Sequence, residues 1–188
     1  MEIIKFNLFE RCLALILLII LSPILLAIAI IVKLDSKGKV LFKQKRVGKN
    51  SDIFYMYKFR TMSNNAPISV PSNELGNNYV TKIGRYLRKT SLDELPQLIN
   101  IVKGEMSFIG YRPVIPEETC LILLRQKYRI DENLPGLTGW AQINGRDKIS
   151  IYHKIDFEYY YYKNKDIVFN IKIILMTIYK VITMECIC

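Results

Sequence analysis

The chain carries a single histidine, a single tryptophan and four cysteines in 188 residues. With only His153 available, a histidine-based triad or zinc site would rest on one residue set among Tyr152, Lys154 and Asp156, a surface or interfacial position. Cys12, Cys120, Cys186 and Cys188 are scattered, so neither a disulfide framework nor a zinc spacing is present, and a reducing compartment suits them. The terminal Cys-x-Cys is too short a match to carry a lipid-attachment reading. Acids are scarce: 17 Asp and Glu stand against 27 Lys and Arg, a net charge of +10. Such a balance suits phosphates, anionic lipid headgroups or nucleic acid. No zinc-finger spacing or base-reading basic helix accompanies it, which argues against nucleic acid. There is no internal repeat, and one long apolar run leaves too little membrane sequence for a polytopic enzyme.

That run, Cys12 to Val32, is interrupted only by Ser22 and Pro23 and is long enough to cross a bilayer. It exceeds a signal-peptide core and no small-residue cleavage site follows, so it is expected to stay as a membrane anchor. The length rule favours a kinked spanning helix. The flanks do not: Lys5 and Arg11 precede the run while Lys33, Lys37, Lys39, Lys43, Lys45 and Arg46 follow it, drawing both ends to the cytoplasm. A hairpin dipping into one leaflet and bent at Ser22-Pro23 satisfies both signals.

Beyond the anchor, Val40 to Gln44 and Ile53 to Phe59 read as a β-hairpin turning at Gly48-Lys49-Asn50. Ser63 to Asn78 is a polar loop, followed by helix signals at Lys82 to Lys89 and Leu95 to Val102. Ile109 to Pro113 reads as a turn, Glu117 to Tyr128 as a helix, and Pro135 to Trp140 as a tight loop with Trp140 in its core or at a membrane surface. Ile151 to Tyr162 is a further helix whose run Tyr159 to Tyr162 suits an interfacial belt or a binding platform. Ile167 to Ile182 is amphipathic and expected in the membrane interface.

The chemistry concentrates at Ser91-Leu92-Asp93-Glu94-Leu95-Pro96-Gln97, two adjacent acids preceded by Lys82, Arg85, Arg88 and Lys89. Ser91 and Glu94 have capping-box spacing, and Pro96 is tolerated only in a first helical turn, so Asp93 is expected at or just before a helix N-terminus. An anion is favoured there, and an ionised carboxylate is a competent nucleophile toward phosphorus. The plainer alternative is that Glu94 caps the helix and Asp93 answers neighbouring cations.

The motifs form an ordered set: Gln44-x-Arg46-Val47-Gly48, Lys58-Phe59-Arg60-Thr61-Met62, Leu87 to Leu98, Gly104-Glu105-Met106-Ser107, Arg112-Pro113 and Pro135-Gly136-Leu137-Thr138-Gly139. This set, behind an apolar helix centred on Ser-Pro, resembles the bacterial sugar transferases, monotopic phosphoglycosyl transferases, over essentially the whole chain. Its length is similar to that of members consisting of the catalytic core alone. The resemblance implies a predominantly helical α/β protein with a re-entrant helix at residues 1–36 and a cytoplasmic catalytic domain at 37–188. It further implies a UDP-sugar donor, polyprenyl phosphate as acceptor, and placement on the cytoplasmic face of the bacterial membrane. A homodimer is compatible with it.

Carried over onto this chain, the resemblance makes Asp93 the nucleophile that takes the phosphosugar and Glu94 its partner, with Mg²⁺ held at the pair. Arg112 with Pro113 matches the motif assigned to the nucleotide part of the donor. Phosphate charge needs neutralising, and Lys58, Arg60, Arg88 and Arg146 are the candidates, each alone also readable as a solvated cation. Asp156 would complete the nucleotide or metal environment, or be a plain helix-surface acid. Tyr111 departs from the family, where proline is common, and would alter the loop or stack on a base. The rival reading is a non-catalytic, membrane-docked basic module that binds anionic lipid or a protein partner.

Overall fold

The structure, a computed structural model, describes residues 2–63, 65–67, 79–145 and 149–183, with side chains from residue 7 onward. It is predominantly helical and falls into two compact units, one built from Met1–Gln44 and Tyr55–Gly104, the other from Lys45–Phe54 and Glu105–Cys186. Most of the Ser63–Asn78 loop and the terminal Cys-x-Cys lie outside the described residues.

In the first unit the apolar run forms two helices, α1 (Glu2–Ile20) and α2 (Ser22–Asp35), and the stretch Asn7–Ile20 meets α2 at a 63° bend. Among the described residues no single helix is long and apolar enough to cross a membrane. Proline explains the break: Pro23 has no N–H for the carbonyl four residues back, which is Ile19. The Ser22 hydroxyl donates to that oxygen at 2.7 Å, so the bend leaves no orphan carbonyl there. One face of α2, Ile28 and Val32, packs with Phe59 and Leu87, and Leu25, Leu92 and Leu95 close around them.

β1 (Leu41–Val47) and β2 (Ile53–Phe59) pair as the expected hairpin, its base in the first unit and its tip in the second. α3 (Lys82–Lys89) matches its expected span, capped by Thr81, whose hydroxyl accepts from the Gly84 N–H at 2.9 Å. A 3₁₀ stretch, Leu92–Gln97, leads into α4 (Leu98–Lys103), which ends at Gly104 in the left-handed region with φ 82°. Arg11 from α1 donates through Nε to the Val102 carbonyl at 2.7 Å, placing a cation at the negative end of α4. On α4 the fully buried Asn100 takes the place of a neighbouring strand: its Nδ2 donates to Tyr55 O at 2.7 Å and its Oδ1 accepts from Tyr57 N at 3.1 Å.

The second unit corrects one reading. Gly136–Thr138, inside the stretch read as a tight loop, is a strand, β4, and its parallel partner β3 (Ser107–Ile109) runs up to the turn expected from Ile109 to Pro113. Parallel strands need a long crossover, and α5 (Thr119–Lys127) lies within it. α6 (Trp140–Ile143), α7 (Ile151–Asn164) and α8 (Ile167–Ile182) follow. Tyr111, Val114, Leu121, Ile130 and Ile155 form one core cluster; Ile109, Ile143, Tyr161 and Ile173 form another. The tyrosine run is therefore split: Tyr159 and Tyr160 are exposed, whereas Tyr161 is buried and Tyr162 packs against both clusters. α8 buries only Ile173 among its described residues and exposes Ile167, Val168, Ile171, Leu175, Ile178 and Ile182.

Candidate active site

Asp93 and Glu94 lie in the 3₁₀ stretch, both buried, at 7% and 8% exposure. Leu92 and Leu95 on either side pack into the core formed by α2, Phe59 and Leu87, which fixes the turn that presents the acids. The capping box does not form. Ser91 has φ 54° and ψ 14°, a left-handed conformation, and no side-chain cap is made; its carbonyl, not its hydroxyl, accepts from the Glu94 N–H at 3.1 Å. The α-helix begins only at Leu98, so Asp93 sits in the 3₁₀ stretch ahead of it rather than at its first turn.

Two side-chain contacts join the Leu87-to-Leu98 motif to Lys58-Phe59-Arg60-Thr61-Met62. Lys58 Nζ donates to Glu94 Oε1 at 2.8 Å, with both side chains mostly buried. Arg88, on the last turn of α3, donates through Nε to Thr61 Oγ1 at 3.0 Å. Arg60 behaves differently: its Nη2 donates to Val32 O at 3.1 Å and Ser36 O at 2.6 Å, fastening the carbonyl end of α2, while Nε and Nη1 are buried with no hydrogen-bond partner among the described residues.

In the second unit Arg112 is half-buried and Pro113 buried. The carbonyls of Pro113 and Val114 accept from Arg46 Nη1 at 3.2 Å and Val47 N at 2.8 Å. The glycines of Pro135-Gly136-Leu137-Thr138-Gly139 have a steric reason. A Cβ on Gly136 would lie 2.0 Å from the Gly110 nitrogen, and one on Gly139 2.0 Å from the Gly110 oxygen. This backbone approach packs the strand against Gly110, two residues before Arg112. Asp156 is exposed on α7, His153 is exposed with its ring nitrogen 3.2 Å from Ser150 Oγ, and Arg146 lies outside the described residues.

Residues 2–184 match the family described as bacterial sugar transferase. The chain belongs to that family. It is 40% identical over 180 residues to the uncharacterized sugar transferase EpsL of Bacillus subtilis, covering 95% of this chain and 88% of that one. It is 39% identical over 176 residues to a UDP-glucose:undecaprenyl-phosphate glucose-1-phosphate transferase of Escherichia coli, covering 89% of this chain but only 38% of that protein. The exopolysaccharide production protein ExoY of Sinorhizobium fredii is 34% identical over 186 residues, covering 90% and 82%.

In this bacterial sugar transferase the motifs thus have visible structural links, and a further group appears that sequence reasoning passed over. Arg125 and Glu158 form a buried bidentate pair, Nε to Oε2 at 2.8 Å and Nη2 to Oε1 at 2.6 Å. Burial is the largest single influence on Arg125 and opposes its charge, but the Glu158 carboxylate outweighs it and holds the guanidinium above its ordinary range. Tyr111 packs its ring against that guanidinium, 4.4 Å from the ring centroid, and is 2% exposed, so it does not stack on a bound base. Burial pushes the phenols of Tyr111 and Tyr162 up, out of their ordinary range. Spacing held a signal for the pair: Arg125 follows Leu121 by four residues and Glu158 follows Ile155 by three, charges on otherwise apolar helix faces.

Proposed function

We propose that this chain transfers a sugar-1-phosphate from a UDP-sugar to a polyprenyl phosphate, through a phosphosugar held covalently on Asp93. The Lys58–Glu94 pair carries the reading. Lys58 fixes Glu94 in place beside Asp93, and adjacent buried carboxylates held in one turn can divide nucleophile and supporting roles between them. Asp93 Oδ attacks the β-phosphorus, the bond from that phosphorus to the bridging oxygen breaks, and UMP leaves with the oxygen. A phosphate oxygen of the lipid then attacks the same phosphorus, breaking its bond to Asp93 and restoring the carboxylate. Lys58 and Arg88, tied to the same two motifs, would neutralise phosphate charge, and Arg112 would recognise the nucleotide part of the donor.

Among the described residues no group of three or more metal-ligating side chains exists. Mg²⁺ takes one or two carboxylates and completes its shell with substrate phosphates and water, and the adjacent buried acids Asp93 and Glu94 fit that demand and would hold it. When bound, the ion would offset the charge of the diphosphate.

The name of the E. coli relative, an undecaprenyl-phosphate glucose-1-phosphate transferase, supports the lipid acceptor. The bent α1–α2 pair and the exposed apolar faces of α2 and α8 support a re-entrant, monotopic placement at the cytoplasmic face of a bacterial membrane. Incubating detergent-solubilised protein with undecaprenyl phosphate, Mg²⁺ and a panel of UDP-sugars tests the reading. UMP release with one or a few of the sugars is expected. Absence of UMP from a panel spanning the common hexoses and N-acetylhexosamines would overturn it.

A further inference from the structure

The chain on either side of Arg112 is pinned, and one of its pins is a side-chain hydroxyl. The Tyr111 N–H donates to Tyr162 Oη at 3.1 Å, and the same hydroxyl donates to the Leu134 carbonyl at 3.3 Å. A phenol has one proton and free lone pairs, so it makes both bonds at once. The Tyr111 carbonyl accepts from the Gly136 N–H at 2.8 Å, and beyond Arg112 the Pro113 and Val114 carbonyls accept from Arg46 and Val47. The ring of Tyr111 is held edge-on to Tyr162, centroids 6.4 Å apart, and against Arg125, which Glu158 fixes in turn. Proline at 111 has no N–H and could not make the bond to Tyr162.

An arginine side chain is long and flexible, and its planar fork recognises an anion only when its backbone origin is fixed. We propose that Tyr162, acting through the main chain of Tyr111, is a positioning residue that sets Arg112 for the donor. Arg125 and Glu158 hold the Tyr111 ring in the place this requires. The inference rests on the reading of Arg112 as the donor-recognising residue, and the experiment separates the two.

Tyr162→Phe keeps the ring contacts and deletes the hydroxyl. Steady-state kinetics with the UDP-sugar that releases UMP, and with undecaprenyl phosphate, should show kcat/KM for the donor down about tenfold and kcat/KM for the acceptor unchanged. In an Arg112→Lys background the same substitution should have no further effect on the donor constant. An unchanged donor constant in Tyr162→Phe, or effects that multiply in the double variant, overturns the positioning role while leaving Arg112 as the donor residue. An unchanged donor constant in Arg112→Lys alone overturns the reading of Arg112 itself. Circular dichroism confirms that each variant is folded. Should Tyr162→Phe fail to fold, Glu158→Gln, which loosens the hold on Arg125, is read in the same way. It should lower the donor constant by a smaller factor, and a fall in the acceptor constant instead would overturn the proposal.

Discussion

Lys58 Nζ and Glu94 Oε1 meet at 2.8 Å, joining the end of the hairpin to the acid pair. Removing the cation leaves the Glu94 carboxylate without this partner in a mostly buried setting. Both side chains keep some exposure, 16% and 11%, so the full cost of breaking a buried pair is discounted. Lys58→Met should lower stability by about 1–3 kcal/mol in denaturant unfolding.

The acid roles predict a covalent intermediate. With UDP-sugar and Mg²⁺ but no polyprenyl phosphate, the protein should release up to one UMP per chain, and intact mass spectrometry should find a phosphosugar adduct that Asp93→Asn abolishes. That substitution should cost at least about 10³-fold in turnover, because an amide is no nucleophile. UMP appearing only in the presence of acceptor, with no adduct, would rule out the two-step route.

The bend at Ser22-Pro23 predicts topology. In a background without native cysteines, single cysteines near Lys5 and near Lys37 should both be shielded from an impermeant thiol reagent applied outside intact cells. Replacing Ser22 and Pro23 together by Leu should restore a continuous helix and expose the first position to labelling.

Alkaline pH should act through two phenols. Tyr111 and Tyr162 have folded-state pKa values raised by burial, so their contribution is intact below the ordinary tyrosine value near 10 and is lost as pH rises from there toward the folded values. Absorbance at 295 nm should therefore show a late phase coincident with unfolding. Tyr111→Phe and Tyr162→Phe should each remove one phenol from it.

The buried Arg125–Glu158 pair predicts a compensation. Arg125→Met alone should destabilise by about 3–5 kcal/mol, because it leaves a buried carboxylate without its cation. Adding Glu158→Leu should recover most of that loss. Thermal or denaturant unfolding of the single and double variants checks it.

Local signals carried much of the fold. The bounds of α3 and α8 and the start of α7 follow from apolar periodicity and end residues, and the hairpin follows from β-rich runs around Gly48-Lys49-Asn50. β3 and β4 escaped because each has three residues and their pairing is parallel and distant, with Gly110 and Gly136 in contact across the crossover. The cap at Ser91 failed because spacing does not report φ, and a left-handed Ser91 offers its carbonyl where a capping box needs its hydroxyl. At the site, Asp93, Glu94 and Lys58 could be named from motif and resemblance. That Arg60 fastens α2, and that Tyr162 reaches the Tyr111 N–H, depends on chain segments far apart in sequence.

Asn100 does no chemistry, yet it works as a gauge for strand register. Because its amide meets Tyr55 and Tyr57 at once, β2 can lie against α4 in only one phase. In that phase Met56 and Lys58 point to the same side, and Lys58 arrives at Glu94. A slip of one residue would turn Lys58 outward and bring Tyr57 in its place. The pairing of cation and acid is therefore decided one helix away, by an amide that measures two residues of strand.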